Sequence, residues 1–157
     1  MSEWKDRIVG HGKKAASQFM ANPKNWRVHP QAQREALRGA LNEIGWIAPV
    51  VENTRTGALV DGHERVWQAL RNGDAEVPYV QVDLSEEEEA YALATLDPIG
   101  AMAEADRERL DELLSEVQSS EAGVRALLEE LAREAVVVPP MQGEGHETPA
   151  QRPTLSD

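Results

Sequence analysis

The sequence predicts an α+β fold, a small mixed β-sheet with packed helices followed by acidic C-terminal helices. Three observations predict it. Over residues 31–82 the apolar spacing changes from three-and-four to short β-like runs and back. Glycine, proline and asparagine cut that stretch into short pieces at Gly45, Gly57, Asp61-Gly62 and Asn72-Gly73. From Ser85 onward the apolar residues keep helical spacing on a background rich in glutamate.

Taken in order, residues 1–16 hold Gly10, Gly12 and four Lys/Arg with no sustained period, and read as a flexible basic arm. The stretch Asn22–Pro30 (NPKNWRVHP) has two prolines and two asparagines and reads as an ordered loop. Ala32, Ala36, Leu37, Ala40, Leu41 and Ile44 make one helical face that begins after Pro30 and stops at Gly45. Pro49-Val50-Val51 and Ala58-Leu59-Val60 flank the turn residues Asn53–Gly57, so 49–60 reads as a hairpin. Val66, Ala69 and Leu70 place a helix between Asp61-Gly62 and Asn72-Gly73. Val77, Tyr79/Val80 and Val82 form a third strand, with Pro78 assigning it to an edge or to a strand start.

Ser85 and Glu88 have capping-box spacing, and Glu86–Glu89 fall in a first turn where the helix dipole favours negative charge. That helix is expected to end at Asp97-Pro98. Two further amphipathic helices are expected near 104–117 and 121–135. The resulting division is a basic arm over 1–16, one domain over 17–98, an acidic helical extension over 99–138, and a disordered tail or linker over 139–157.

The chain has 157 residues and no cysteine, which excludes disulfides, thiolate metal sites and cysteine redox chemistry. The net charge of −12 hides a division. Residues 1–80 hold 11 Lys/Arg against 9 Asp/Glu; residues 81–157 hold 5 against 19. The front suits phosphate and the back repels it. No apolar run reaches the ~18 residues a membrane helix needs, and the N-terminal residues lack a signal core, so the expected setting is cytoplasmic with no membrane partner.

Chemistry concentrates at Leu59–Arg65 (LVDGHER), where a strand meets a glycine and a helix begins at once. Amides at such a helix start are unpaired, and the dipole adds positive charge behind them. Gly62 and Arg65 therefore form a candidate phosphate corner. His63, between Asp61-Gly62 and Glu64, has two readings: a general base or metal ligand, or a residue of a turn that Asp61 caps. The spacing D-x-H-E matches no established metal motif, and His11 and His29 join a ligand set only through folding. Arg27 beside Trp26 offers a phosphate fork and a stacking indole; equally, Trp26 anchors the loop while Arg27 snorkels. Trp46 and Trp67 are assigned to packing.

Together these stretches resemble the N-terminal domain of ParB, in the ParB/sulfiredoxin superfamily often labelled ParB-like nuclease domains. The resemblance runs from about Ser17 to Asp83, through NPKNWRVHP, Ile44-Gly45-Trp46, the two short strands, Asp61–Arg65 and Gly73–Pro78. The continuation from Leu84 to Pro98 is similar to a phage and mobile-element branch that occurs alone or ahead of a DNA methyltransferase. The family's box reads G-E-R-R, and its arginines and amides hold nucleotide phosphates, those of CTP in ParB itself. Gly62 and Arg65 match that box; His63 stands for its glutamate and Glu64 for its first arginine, where a carboxylate repels phosphate. Sulfiredoxin chemistry is excluded because its box needs a cysteine, and the acidic 104–135 segment is a poor counterpart of the helix-turn-helix domain that follows in segregation ParB.

The resemblance implies a phosphate- or nucleotide-binding accessory module in phage or mobile-element DNA metabolism, associated with DNA modification. Gly62, Arg65, Arg27 and Asn25 would hold phosphate of a nucleotide or of DNA, and His63 and Glu64 would tune specificity. The alternative is a nuclease or nucleotide hydrolase in which Asp61, His63 and Glu64 hold Mg or Mn or activate water. A third reading is a protein-interaction module whose 104–135 leucines meet a methyltransferase, another protein or a second copy in a homodimer.

Overall fold

The computed structural model describes residues 2–136, so the tail or linker expected over 139–157 lies outside the described residues. Four strands and five helices confirm the α+β class. The strands are β1 (Ile8–Ala15), β2 (Val50–Asn53), β3 (Leu59–Asp61) and β4 (Glu76–Val82). They form one sheet in the order β1-β4-β2-β3. β1 is antiparallel to β4, β4 parallel to β2, and β2 antiparallel to β3, so the sheet is mixed. The helices are α1 (Gln31–Ile44), α2 (His63–Arg71), α3 (Glu86–Ala101), α4 (Arg107–Glu116) and α5 (Ala122–Val136).

The core lies between α2 and one face of the sheet. Ala16, Val50, Leu59, Val66, Ala69 and Val77 are buried there, with Phe19, Trp46 and Tyr79 packed at its margin. Burying a Val or Leu side chain contributes roughly 1.5–3 kcal/mol, and these few residues join the short strands to the helix that carries the Gly62 turn. The expected hairpin is present: Gly57 donates its N–H to the Asn53 carbonyl (2.8 Å) and Asn53 donates to Ala58 (2.9 Å).

Three expectations need correction. Residues 8–15, assigned to a flexible arm, form β1 across the full length of β4. Gly12 hid the alternation, and it is glycine for a tertiary reason: a Cβ there would meet the Tyr79 hydroxyl at 2.7 Å. Second, β4 is central, with Pro78 inside it. The pairing with β2 begins one residue later, at Tyr79, so Pro78 has a strand partner on the β1 side only, opposite Lys13. Third, α3 continues past Pro98 to Ala101. Proline lacks an N–H and its ring crowds the carbonyl four residues back, yet the helix runs one further turn and then closes with tighter bonds, Met102 to Ile99 and Ala103 to Gly100 (3.2 and 3.3 Å).

α5 lies along α1. Gly123 makes the approach close: a Cβ there would sit 2.5 Å from the Glu35 carbonyl carbon. The expected acidic extension is thus seated on the α+β unit through α1. No described helix is long and apolar enough to cross a membrane.

Candidate functional site

β3 ends at Asp61, and Gly62 turns the chain into α2 with φ +95°, in the left-handed region that favours glycine. A side chain would also fail for lack of room, since a Cβ at Gly62 would lie 2.4 Å from Val50 Cγ1. The first helical bond runs from the Val66 N–H to the Gly62 carbonyl (3.0 Å). The amides of His63, Glu64 and Arg65 precede it, and no side chain caps the helix. α2 therefore presents a bare N-terminus with its dipole behind it.

That end opens on a cleft of about 230 Å³ between α2, the NPKNWRVHP loop and the outer part of α3. Asn25, Arg27, His29, Asp61, Gly62, His63, Glu64 and Arg65 line it, with Leu93 and Asp97 closing the α3 side. Every site residue expected from the sequence is brought to this one cavity. His29 joins them, whereas His11 lies on β1.

The cations are already engaged. Arg65 donates to the Ala48 carbonyl (3.0 Å) and to Asp61 Oδ2 (3.1 Å), and Arg27 pairs with Asp97. The two carboxylates are the more exposed partners: the Asp61 and Asp97 side chains are 44% and 52% accessible, against 20% and 28% for Arg65 and Arg27. An incoming oxyanion therefore has two rim carboxylates to displace and two held guanidiniums to receive it.

His63 and Glu64 are committed differently. His63 Nε2 accepts the Asn22 backbone N–H at 3.0 Å. An amide N–H only donates, so Nε2 carries no proton and the neutral ring is protonated at Nδ1. Burial holds the His63 pKa below the ordinary imidazole value; Asp61 opposes this, while Arg27 and His29 add to it. Glu64 is buried against Arg34 Nε (3.1 Å) and Gln68 Nε2 (3.5 Å). Asp61, His63 and Glu64 thus face three different partners, and among the described residues no group of three His, Asp or Glu is placed to hold a metal ion. This geometry disfavours the Mg or Mn hydrolase alternative.

Trp26 neither sinks into the core nor stands free. Its Nε1 donates to the Leu93 carbonyl (2.8 Å), and the Arg27 guanidinium lies 5.3 Å from its ring centre. Trp46 packs at the core margin as expected, and Trp67 carries Arg34 and Arg71 over its ring at 4.2 and 4.7 Å.

Sequence reasoning missed the group that sets this wall of the site. Asn22, Asn53 and Glu89 are all buried. Asn22 Nδ2 donates to Glu89 Oε1 and to the Leu59 carbonyl, and Asn53 Nδ2 donates to Glu89 Oε2 (3.2 Å) and to the Leu84 carbonyl (3.0 Å). Glu89 is therefore not part of a solvated helix face. It ties α3 to β2 through Asn53 and, through Asn22, to the loop whose backbone holds His63. The expected capping box does form, with Glu88 N–H to Ser85 Oγ at 3.2 Å and Ser85 N–H to Glu88 Oε1 at 3.0 Å. Glu88 also binds Arg7, which holds its carboxyl down to about 2 with help from the Ser85 amide.

No family model matches the sequence, and no curated protein matches it. Solved structures do share its fold. The C-terminally truncated chromosome-partitioning protein ParB from Caulobacter crescentus, complexed with CTP-γ-S, matches with a TM-score of 0.53 and 21% identity, over 82% of this chain and 69% of that one. The pNOB8-like ParB N-domain matches with a TM-score of 0.50 and 17% identity, over 87% of this chain and 50% of that one. The likeness establishes a ParB-like fold.

Proposed function

We propose that this chain is a ParB-like module that binds the phosphate groups of a nucleotide at the α2 N-terminus. It would serve as an accessory domain in phage or mobile-element DNA metabolism, in the cytoplasm and beside a DNA-modifying partner such as a methyltransferase. The observation that carries the binding reading is the uncapped start of α2 behind Gly62, opening on a cleft that also holds Arg27 and Arg65. The structural neighbour's complex with CTP-γ-S supports it. A volume of about 230 Å³ suits a phosphate chain better than a whole nucleotide, since pockets enclosing drug-sized ligands run from about 300 Å³ upward. The acidic character of the second half of the chain favours a free nucleotide over a DNA backbone.

In this mechanism phosphate oxygens take the places of Asp61 and Asp97 on Arg65 and Arg27 and accept from the first-turn amides of α2. Neutral His63 supplies an uncharged N–H, so the site carries less positive charge than a G-E-R-R box. Calorimetric titration with CTP, the other nucleoside triphosphates and inorganic tripolyphosphate tests the reading. Arg65→Ala and Arg27→Ala are each expected to weaken binding about 10-fold, the equivalent of ~1.4 kcal/mol. Absence of binding, or affinity indifferent to both substitutions, would overturn it.

A second reading concerns partners. Leu113, Val117 and Leu127 remain exposed on and beside α4 and α5, which favours a protein contact there, with a second copy or another chain. Light scattering at several concentrations distinguishes a homodimer from a monomer awaiting a different partner.

A further inference from the structure

Of the seven arginines in residues 1–80, Arg7, Arg27, Arg34, Arg55 and Arg65 each pair with a carboxylate. Arg38 and Arg71 pair with none among the described residues, and both line the same cavity, about 90 Å³ in volume, between the C-terminal ends of α1 and α2. Leu41 and Trp46 supply its apolar part, and Asn42 and Asn72 add carboxamides. None of its lining residues is acidic. Two carboxylates contact the lining from outside it: Glu121 accepts from Asn42 at 3.4 Å and Glu64 from Gln68 at 3.5 Å.

Two helix C-termini would ordinarily repel an anion through their free carbonyls. Here part of that repulsion is removed, because three of those carbonyls, Leu41, Gln68 and Ala69, are occupied. Gly45 N–H donates to Leu41 O (3.0 Å), Asn72 N–H to Gln68 O (3.0 Å) and Ala69 O (3.2 Å), and Ala75 N–H to Ala69 O (3.1 Å). Beside them stand two guanidiniums with no hydrogen-bond or ion-pair partner among the described residues. Arg71 is oriented by stacking over Trp67.

We infer that this cavity is a second oxyanion site, taking one phosphoryl-type group on the Arg38 and Arg71 forks. Guanidinium forks match tetrahedral oxyanions in two-point contacts. The cavity volume excludes a nucleotide, so the ligand is a small anion such as phosphate, or a single phosphate of a larger chain entering from outside. The site lies at the opposite end of α2 from the Gly62 cleft, about 12 Å along the helix axis at 1.5 Å per residue, so it does not depend on that reading.

The test follows the Asn72 and Gly45 backbone amides and the Arg71 Nε–H signal by two-dimensional NMR of the full chain. Inorganic phosphate is titrated in one arm and a short DNA duplex in another. A small-anion site shifts these signals with phosphate alone; a backbone-phosphate site shifts them with duplex only. In either case Arg38→Gln, at an exposed position, is expected to weaken the effect about 10-fold, and Arg71→Gln is expected to do the same. Signals that stay still in both arms, or that respond equally in Arg38→Gln, overturn the site. Shifts confined to His63–Arg65 overturn it as well, while leaving the Gly62 cleft intact.

Discussion

Asn22 shows how one side chain can govern a site it does not enter. Its amide fixes the His63 tautomer, while its carboxamide satisfies a buried carboxylate 67 residues away. Replacing Asn22 by Ala is expected to destabilise the fold by about 1–3 kcal/mol, because buried Glu89 loses a donor, and urea unfolding measures this. His63 gives a sign-determined pH effect. Its folded pKa lies below the ordinary 6.5, so the unfolded chain takes up the proton first as pH falls. Stability is therefore complete above 6.5 and declines below it toward the lower folded value; His63→Asn should flatten that slope in melts recorded across the range. At the cleft, Asp97→Asn should raise affinity for tripolyphosphate about 2- to 5-fold, since an exposed ion pair worth ~0.5–1 kcal/mol no longer competes for Arg27. Unchanged affinity in calorimetry would remove Asp97 from the competition. The sequence showed His63 and Asp61 as members of one motif, but not that they would face different partners, because motif spacing records chain position and not side-chain direction.

At the scale of elements, what was legible followed local chemistry. Ser85 and Glu88 announced the start of α3, and the Asn53–Gly57 turn announced the hairpin, because each rests on bonds between residues within a few positions. What was not legible rested on distant partners. Gly12, read as part of a flexible arm, is a strand residue lying over Tyr79, and Gly123 is the contact that brings α5 against α1. Gly123→Ala is accordingly expected to cost about 1–3 kcal/mol by overpacking, read as a lower midpoint in thermal or urea unfolding. The start of α3 also has an acid limit. Glu88, held down to about 2 from 4.5, contributes its full share above 4.5 and loses it as pH falls toward 2. Glu88→Gln should remove that acid-side dependence, and salt should shrink it, since both Glu88 and Arg7 reach solvent.

For the molecule as a whole, the strand order has a consequence for biosynthesis. Among the described residues β1 has one strand neighbour, β4, with Ile8 opposite Val82 and Ala15 opposite Glu76. β1 leaves the ribosome before β4 and must therefore wait, uncommitted, until the hairpin and α2 have been made and β4 has followed them. Contacts so remote along the chain form slowly, and the interval leaves Trp4, Ile8 and Val9, still solvent-facing in the finished fold, next to an open edge. Lys13 lies on that strand, opposite Pro78, and a lysine on an unpaired edge is the kind of charge that discourages two copies from joining edge to edge.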